Sequence, residues 1–131
     1  MTETHRGGCL CGRVRFEAEG PLDPVTFCHC GQCRRQSGHY FAATGAPRAK
    51  ISIRGEENIK WFSASDTAQR GFCGHCGSHL FWSPHDQDRM AILAGALDEP
   101  IELHPKAHIF VADKPDWYEI GDGLPQYDTT D

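Results

Sequence analysis

The sequence predicts a mainly β protein with few short helical turns, its core held by zinc knuckles. Three observations carry that expectation. Short alternating segments recur between Gly- and Pro-rich turns, helical periodicity is nearly absent, and the seven cysteines stand at chelating rather than cross-linking spacings.

The 131 residues suffice for one domain spanning 1–131, with a motif-bearing part at about 7–117 and a tail at 118–131. Hydrophobic residues make up 39%, and the 14 glycines add no side chains, so the expected core is modest. Domains of that kind take support from metals, disulfides or a partner chain, and a homodimer would be one such support. Disulfides fit poorly. The cysteine count is odd, and no apolar run follows Met1-Thr2-Glu3-Thr4-His5-Arg6 to direct export. A reduced, cytoplasmic setting is expected.

The 13 basic and 18 acidic residues leave a formal charge of -5. Thiolates bound to two Zn²⁺ ions, four on one and three on the other, would deepen it to about -8. That balance argues against nonspecific binding to nucleic-acid backbones or acidic membranes, and neither partner is expected. No apolar run approaches the roughly 18–20 residues of a membrane-spanning helix.

Taken in order, Gly7-Gly8-Cys9-Leu10-Cys11-Gly12 comes first, followed by Val14, Phe16 and Ala18 alternating with charged residues, the pattern of a half-buried strand. Cys9 and Cys11, two apart on extended chain, can reach one face, and tetrahedral zinc asks for sulfurs roughly 3.8 Å apart. After a turn at Gly20–Pro24, Val25-Thr26-Phe27 is a short strand leading to Cys28-His29-Cys30-Gly31-Gln32-Cys33. Residues 32–36 are expected to form a helical turn closed by Ser37-Gly38, with Arg34 and Arg35 as solvated surface charge or, alternatively, one of them as a grip for an anionic substrate.

His39–Thr44 reads as a strand stopped by Gly45-Ala46-Pro47; Ile51–Ile53 and Ile59–Ser63 are two more, and Ala68–Phe72 leads to Cys73-Gly74-His75-Cys76-Gly77. There the glycines after each cysteine allow positive φ and turn N–H groups toward the sulfurs. Ser78–Trp82 is a strand with Leu80 and Trp82 on one face and His79 and Phe81 on the other. Met90–Leu97 is expected to be the most buried strand, His108–Val111 the last one, and the tail from Gly121 a surface segment.

The simplest division of the sulfurs puts Cys9, Cys11, Cys73 and Cys76 in a closed set and leaves Cys28, Cys30 and Cys33 open. Spacing alone also permits the two knuckles to share one metal, with Cys9 and Cys11 free.

The order Cys-x-Cys, Cys-x-Cys-x-x-Cys, Cys-x-x-Cys resembles the glutathione-dependent formaldehyde-activating enzyme family, which includes centromere protein V. Gly8–Gly12, Cys28–Cys33 with Ser37-Gly38, Cys73–Ser78, and the ending His108–Val111 with Lys114-Pro115-Asp116-Trp117 carry the likeness. The resemblance implies packed antiparallel sheets of the β-tent type. It implies a structural zinc on Cys9, Cys11, Cys73 and Cys76 and a catalytic zinc on Cys28, Cys30 and Cys33. It also implies carbon–sulfur lyase chemistry on a thiol–aldehyde adduct such as S-hydroxymethylglutathione, with glutathione and an aldehyde as partners.

Zinc with three cysteines can take a substrate thiol as thiolate in its fourth position. His29, His39 and the Ser37 hydroxyl are candidates to donate to the developing alkoxide, and Phe41 and Trp82 to line a substrate groove. The alternatives are a non-enzymatic zinc-stabilised protein-binding module, with His29 or water in the fourth position, and a redox sensor built on Cys28 to Cys33.

Overall fold

The computed structural model describes residues 3–130. Its strands are β1 (Thr4–Gly8), β2 (Arg15–Glu19), β3 (Val25–Cys28), β4 (Phe41–Pro47), β5 (Ile51–Arg54), β6 (Ile59–Phe62), β7 (Ala68–Cys73), β8 (His79–Pro84), β9 (Arg89–Leu93) and β10 (Pro105–Ile109). One α-helix, α1 (Gly31–Ser37), and short 3-10 turns complete it. No helix among the described residues is long and apolar enough to cross a membrane.

The strands form a three-stranded sheet, β1-β2-β5, and a seven-stranded sheet, β10-β3-β4-β9-β8-β7-β6. All pairings are antiparallel except β10 with β3, which run parallel. Sequence alternation cannot distinguish these cases for an edge strand as short as β10.

The core lies where the sheets face each other. Val14, Phe16 and Ala18 are buried against Leu80, Phe81, Met90 and Ile92. Phe16 and Phe81 meet edge to face with ring centroids 5.2 Å apart, a contact worth about 0.5–1.5 kcal/mol beyond the area it buries. Cys9 and Cys73 belong to the same cluster and Cys76 packs on its margin.

The elements depart from the sequence expectation at five places. β1 has no propensity signal because it ends in two glycines, yet Gly7 is required there: a Cβ would stand 2.4 Å from the Ala96 oxygen and 2.5 Å from the Phe16 ring. β4 continues through Gly45 to Pro47 instead of stopping, since Gly45 pairs with Ala91 and Pro47 occupies the strand's last position. On β8 the pairing skips Leu80, for Gly71 faces Phe81 while Phe72 faces His79. This bulge puts both Leu80 and Phe81 in the core, so the expected alternation fails.

The apolar run at 90–97 is β9 followed by a 3-10 turn (Ala94–Ala96), and β9 itself alternates in burial. The last strand ends at Ile109, because Phe110 takes a left-handed conformation with φ 55. The segment after Gly121 is exposed but stitched to β10: His108 N–H donates to Pro125 O at 2.9 Å, and Tyr127 N–H donates to His108 O at 2.9 Å.

Candidate functional site

Two groups of sulfurs emerge from this frame. The Sγ atoms of Cys9, Cys11, Cys73 and Cys76 all lie within 4.8 Å of one another, and so do those of Cys28, Cys30 and Cys33. The division is therefore four and three, and no knuckle shares its sulfurs with the other.

The four-sulfur cluster joins the turn before β2 to the turn after β7. Gly12, with φ +82, and Gly77, with φ +79, supply the left-handed turns that fold each pair of cysteines back on itself. Gly74 has no such φ; its bareness accommodates Lys60 and the Asn58 carbonyl, both within 3.2 Å of a Cβ placed there. Amide N–H groups of Val14 and His75 point at Cys9 and Cys73 Sγ at 3.3 and 3.4 Å.

Cys11 and Cys9 sulfurs are 3.6 Å apart, and Cys11 and Cys73 sulfurs 3.7 Å. Those separations fit the edges of a tetrahedron with Zn–S bonds of roughly 2.3 Å. The Ser78 hydroxyl, 3.2 Å from the sulfur, pulls the Cys76 thiol down to about 5, and the Arg13 amide and guanidinium lower Cys11. Thiols so placed give up their protons readily, as a metal requires.

The three-sulfur cluster stands at the end of β3. Cys28 pairs with Phe41 of β4 and Ile109 of β10. Cys30 is the N-cap of α1 and accepts from the Cys33 N–H at 3.4 Å; the helix closes on Gly38 in the left-handed conformation, φ 87. Cys33 is buried, while Cys28 and Cys30 are half-buried.

The trio behaves as one acid. Hydrogen bonds from Cys28 and then Cys33 hold Cys30 down at about 2, and the same contacts with Cys30 and Cys33 push Cys28 far up. One proton leaves easily and the rest need a cation. Sulfur-only donors in two compact groups suit a thiophilic ion such as Zn²⁺. No fourth His, Cys, Asp or Glu joins the second group among the described residues.

Arg70, on β7, is the contributor that sequence reasoning missed. Only 6% exposed, it donates from Nη1 to Cys33 Sγ at 3.6 Å and to Gln36 Oε1 at 3.3 Å, and from Nη2 to Gln32 Oε1 at 3.1 Å. Its guanidinium also stands 5.0 Å over the Phe41 ring. An arginine in an alternating strand carries no local signal of this, because the contact spans 37 positions. Arg34 and Arg35, read as solvated surface charge or, alternatively, as an anion grip, lie in the last turn of α1.

His29 does not join the sulfurs through Nε2, which lies 2.8 Å from His108 Nδ1; His108 Nε2 in turn donates to Asp122 Oδ2 at 2.7 Å. Burial first, and then the neighbouring His108, lower His29 to about 4. Ser37 donates its hydroxyl to the Cys33 carbonyl at 2.6 Å and accepts from the His39 N–H at 3.1 Å, so it caps α1. His39 packs against Tyr40, Trp117 and Tyr118, and its Nε2 is buried without a hydrogen-bond partner. Phe41, Ser37, Tyr40 and His79 line a cleft of about 500 Å³ that runs to Cys9 and Ser78 of the other cluster. Trp82, paired with Arg70 and Ala91, stands apart from that cleft.

Among known proteins, one family profile, described as glutathione-dependent formaldehyde-activating enzyme, matches residues 4–113. A Schizosaccharomyces pombe protein named an uncharacterized lyase is 28% identical over 117 residues, covering 88% of this chain and 85% of its own length. Two proteins from Aspergillus flavus and Aspergillus oryzae, each named "Putative glutathione-dependent formaldehyde-activating enzyme", are 26% identical over 115 residues, 85% of this chain. The chain spans 54% of the length of those two. A crystal structure of a Rhodobacter sphaeroides protein has a similar fold, with a TM-score of 0.60 and 25% identity over 74% of this chain and 90% of that one.

Proposed function

The chain belongs to the glutathione-dependent formaldehyde-activating enzyme family, and from that premise we propose that it is a zinc-dependent carbon–sulfur lyase acting on a thiol–aldehyde adduct of the S-hydroxymethylglutathione kind. The observation that carries the reading is the set of three sulfurs, Cys28, Cys30 and Cys33, without a fourth protein donor beside it among the described residues.

Cys9, Cys11, Cys73 and Cys76 would hold a structural Zn²⁺, two of them being part of the core. Cys28, Cys30 and Cys33 would hold a second Zn²⁺, which would supply a position for a substrate thiol as its thiolate. The residues around it do the rest. Arg70 presses its charge on the Cys33 sulfur. His39 has an uncommitted buried Nε2, which leaves it the candidate donor not already engaged and so available to an aldehyde oxygen gaining charge. The Ser37 hydroxyl is already donated to a carbonyl, and His29 is committed through Nε2 to His108, which weakens the case for either as donor or for His29 as a fourth ligand. The cleft lined by Phe41, the strand partner of Cys28, has room for the body of a thiol the size of a tripeptide, although none of the three sulfurs lines it.

The test is zinc stoichiometry together with turnover of glutathione and formaldehyde. The expected result is two zinc ions per chain, with Cys30→Ser losing one metal and all turnover while its far-UV spectrum is unchanged. A Cys30→Ser protein that keeps both metals would overturn the reading. Absence of turnover with any thiol, together with a stoichiometric protein partner, would favour a binding module instead.

A further inference from the structure

Arg70 is a cation in a place where cations are costly. Its side chain is 6% exposed, and none of the ion pairs His5–Glu3, Arg6–Glu17, Arg15–Asp98, Arg89–Asp23, His104–Glu102 and His108–Asp122 involves it. Its neighbours are two amide oxygens, the face of Phe41 and the sulfur of Cys33. Amide oxygens and a ring satisfy its hydrogen bonds and orient it, but none carries the countercharge that a buried guanidinium needs. That charge has to come from the sulfur cluster and whatever joins it.

We propose that Arg70 sets the ligand preference of the three-cysteine centre, making its fourth position select an anion, a thiolate, over a neutral donor such as imidazole or water. The inference rests on the reading of Cys28, Cys30 and Cys33 as an open zinc centre. Zn²⁺ with three thiolates carries -1, and the guanidinium 3.6 Å from Cys33 Sγ brings the group to zero. An arriving thiolate then leaves the group at -1; without Arg70 it would leave it at -2 in surroundings that screen charge poorly.

The four-cysteine cluster offers an internal comparison. There four thiolates on Zn²⁺ carry -2, and Arg13 lies against Cys11, whose charge in turn raises the arginine's affinity for its proton. With its cation each cluster reaches the same total once the three-cysteine centre has taken a thiolate. The differences are burial and rigidity. Arg13 is exposed, whereas Gln32, Gln36 and Phe41 fix the plane of Arg70 on three sides.

Ligand binding to the Co²⁺-substituted protein tests this, read by the thiolate-to-cobalt charge-transfer band and by the visible ligand-field bands. The probes are 2-mercaptoethanol and imidazole. Arg70→Gln should weaken 2-mercaptoethanol binding by roughly tenfold or more and leave imidazole binding within about twofold. Arg70→Lys should recover most of the loss. Gln36→Glu, which sets a carboxylate against the same Nη1 without changing side-chain size, should mimic Arg70→Gln in a protein that keeps the arginine.

Equal weakening of both probes, or an Arg70→Lys protein as impaired as Arg70→Gln, would overturn the proposal and leave Arg70 a packing residue. If Arg70→Gln does not fold, Gln36→Glu decides alone: an unchanged preference for thiol over imidazole sinks the proposal. A wild-type protein that takes up only one Co²⁺ per chain would overturn the open-centre reading and this inference with it, an outcome distinguishable from the others before any variant is made.

Discussion

The rings of His29 and His108 share one buried hydrogen bond, Nε2 to Nδ1 at 2.8 Å, with each residue only 1% exposed. Because the Asp122 carboxylate only accepts, His108 donates to it from Nε2, and in the neutral pair His108 Nδ1 must accept from His29. The exposed tail thereby fixes the orientation of the residue standing between two of the sulfurs, Cys28 and Cys30.

The first prediction follows from that order of donors. His108→Phe keeps the stack on Phe27, whose ring centroid is 4.9 Å away, but strands the buried His29 donor. The expected cost is about 1–3 kcal/mol in urea denaturation of the zinc-loaded protein. A stop codon after Ile120 should lower the midpoint too, since it removes Asp122 together with the main-chain partners of His108, Phe110 and Val111. A truncated protein as stable as the full chain would mean that the tail only rests on β10.

A pH dependence follows from His29. Its folded value of about 4 lies below the ordinary 6.5, lowered chiefly by burial. Between those values the unfolded chain binds a proton that the folded one refuses, so stability falls as pH drops from about 6.5 to about 4 and is flat above. Protonation of the sulfurs adds its own slope in acid. The His29 part is the difference between wild type and His29→Phe, and identical slopes in the two proteins would contradict it.

The local features of this chain were legible in its sequence and the long-range ones were not. Val14, Phe16 and Ala18 announce β2 because alternation is a property of neighbours, and all three are buried. The knuckles announce themselves because each pair of sulfurs is closed by a turn of a few residues. Nothing local marks Gly7 as a strand residue, since its necessity comes from Phe16 and Ala96. The bulge at Leu80 depends on the register with β7, and Arg70 acquires its meaning only when that strand brings it to Cys33. The pairing of β10 with the tail joins a segment that reads as a strand to one that reads as surface, and nothing local to either announces the other.

Gly7 offers a clean test of packing. A methyl group there would collide with a backbone oxygen and with the ring of a core phenylalanine, neither of which can swing aside. Gly7→Ala should cost about 1–3 kcal/mol. Gly95→Ala is the control: a Cβ there meets nothing within 4 Å and its φ is not positive, so it should be neutral or stabilise by up to about 1 kcal/mol. Equal effects of the two substitutions on the urea midpoint would refute the packing argument.

The two clusters should also come apart under chelation. Cys9 and Cys73 are buried inside the cluster that joins the sheets, whereas Cys28, Cys30 and Cys33 lie outside it and offer one donor fewer, which outweighs the exposure of Cys11. A chelator should therefore take the zinc of the three-cysteine centre first, with little change in the far-UV spectrum or melting temperature. Loss of the second ion should coincide with unfolding, because structural zinc sites contribute about 10–16 kcal/mol against a net stability of only about 5–15 kcal/mol for a whole domain. Cys73→Ser should then fail to fold under conditions in which Cys30→Ser folds. Parallel recording of released zinc and circular dichroism checks the order, and loss of structure with the first ion would reverse the roles assigned to the two clusters.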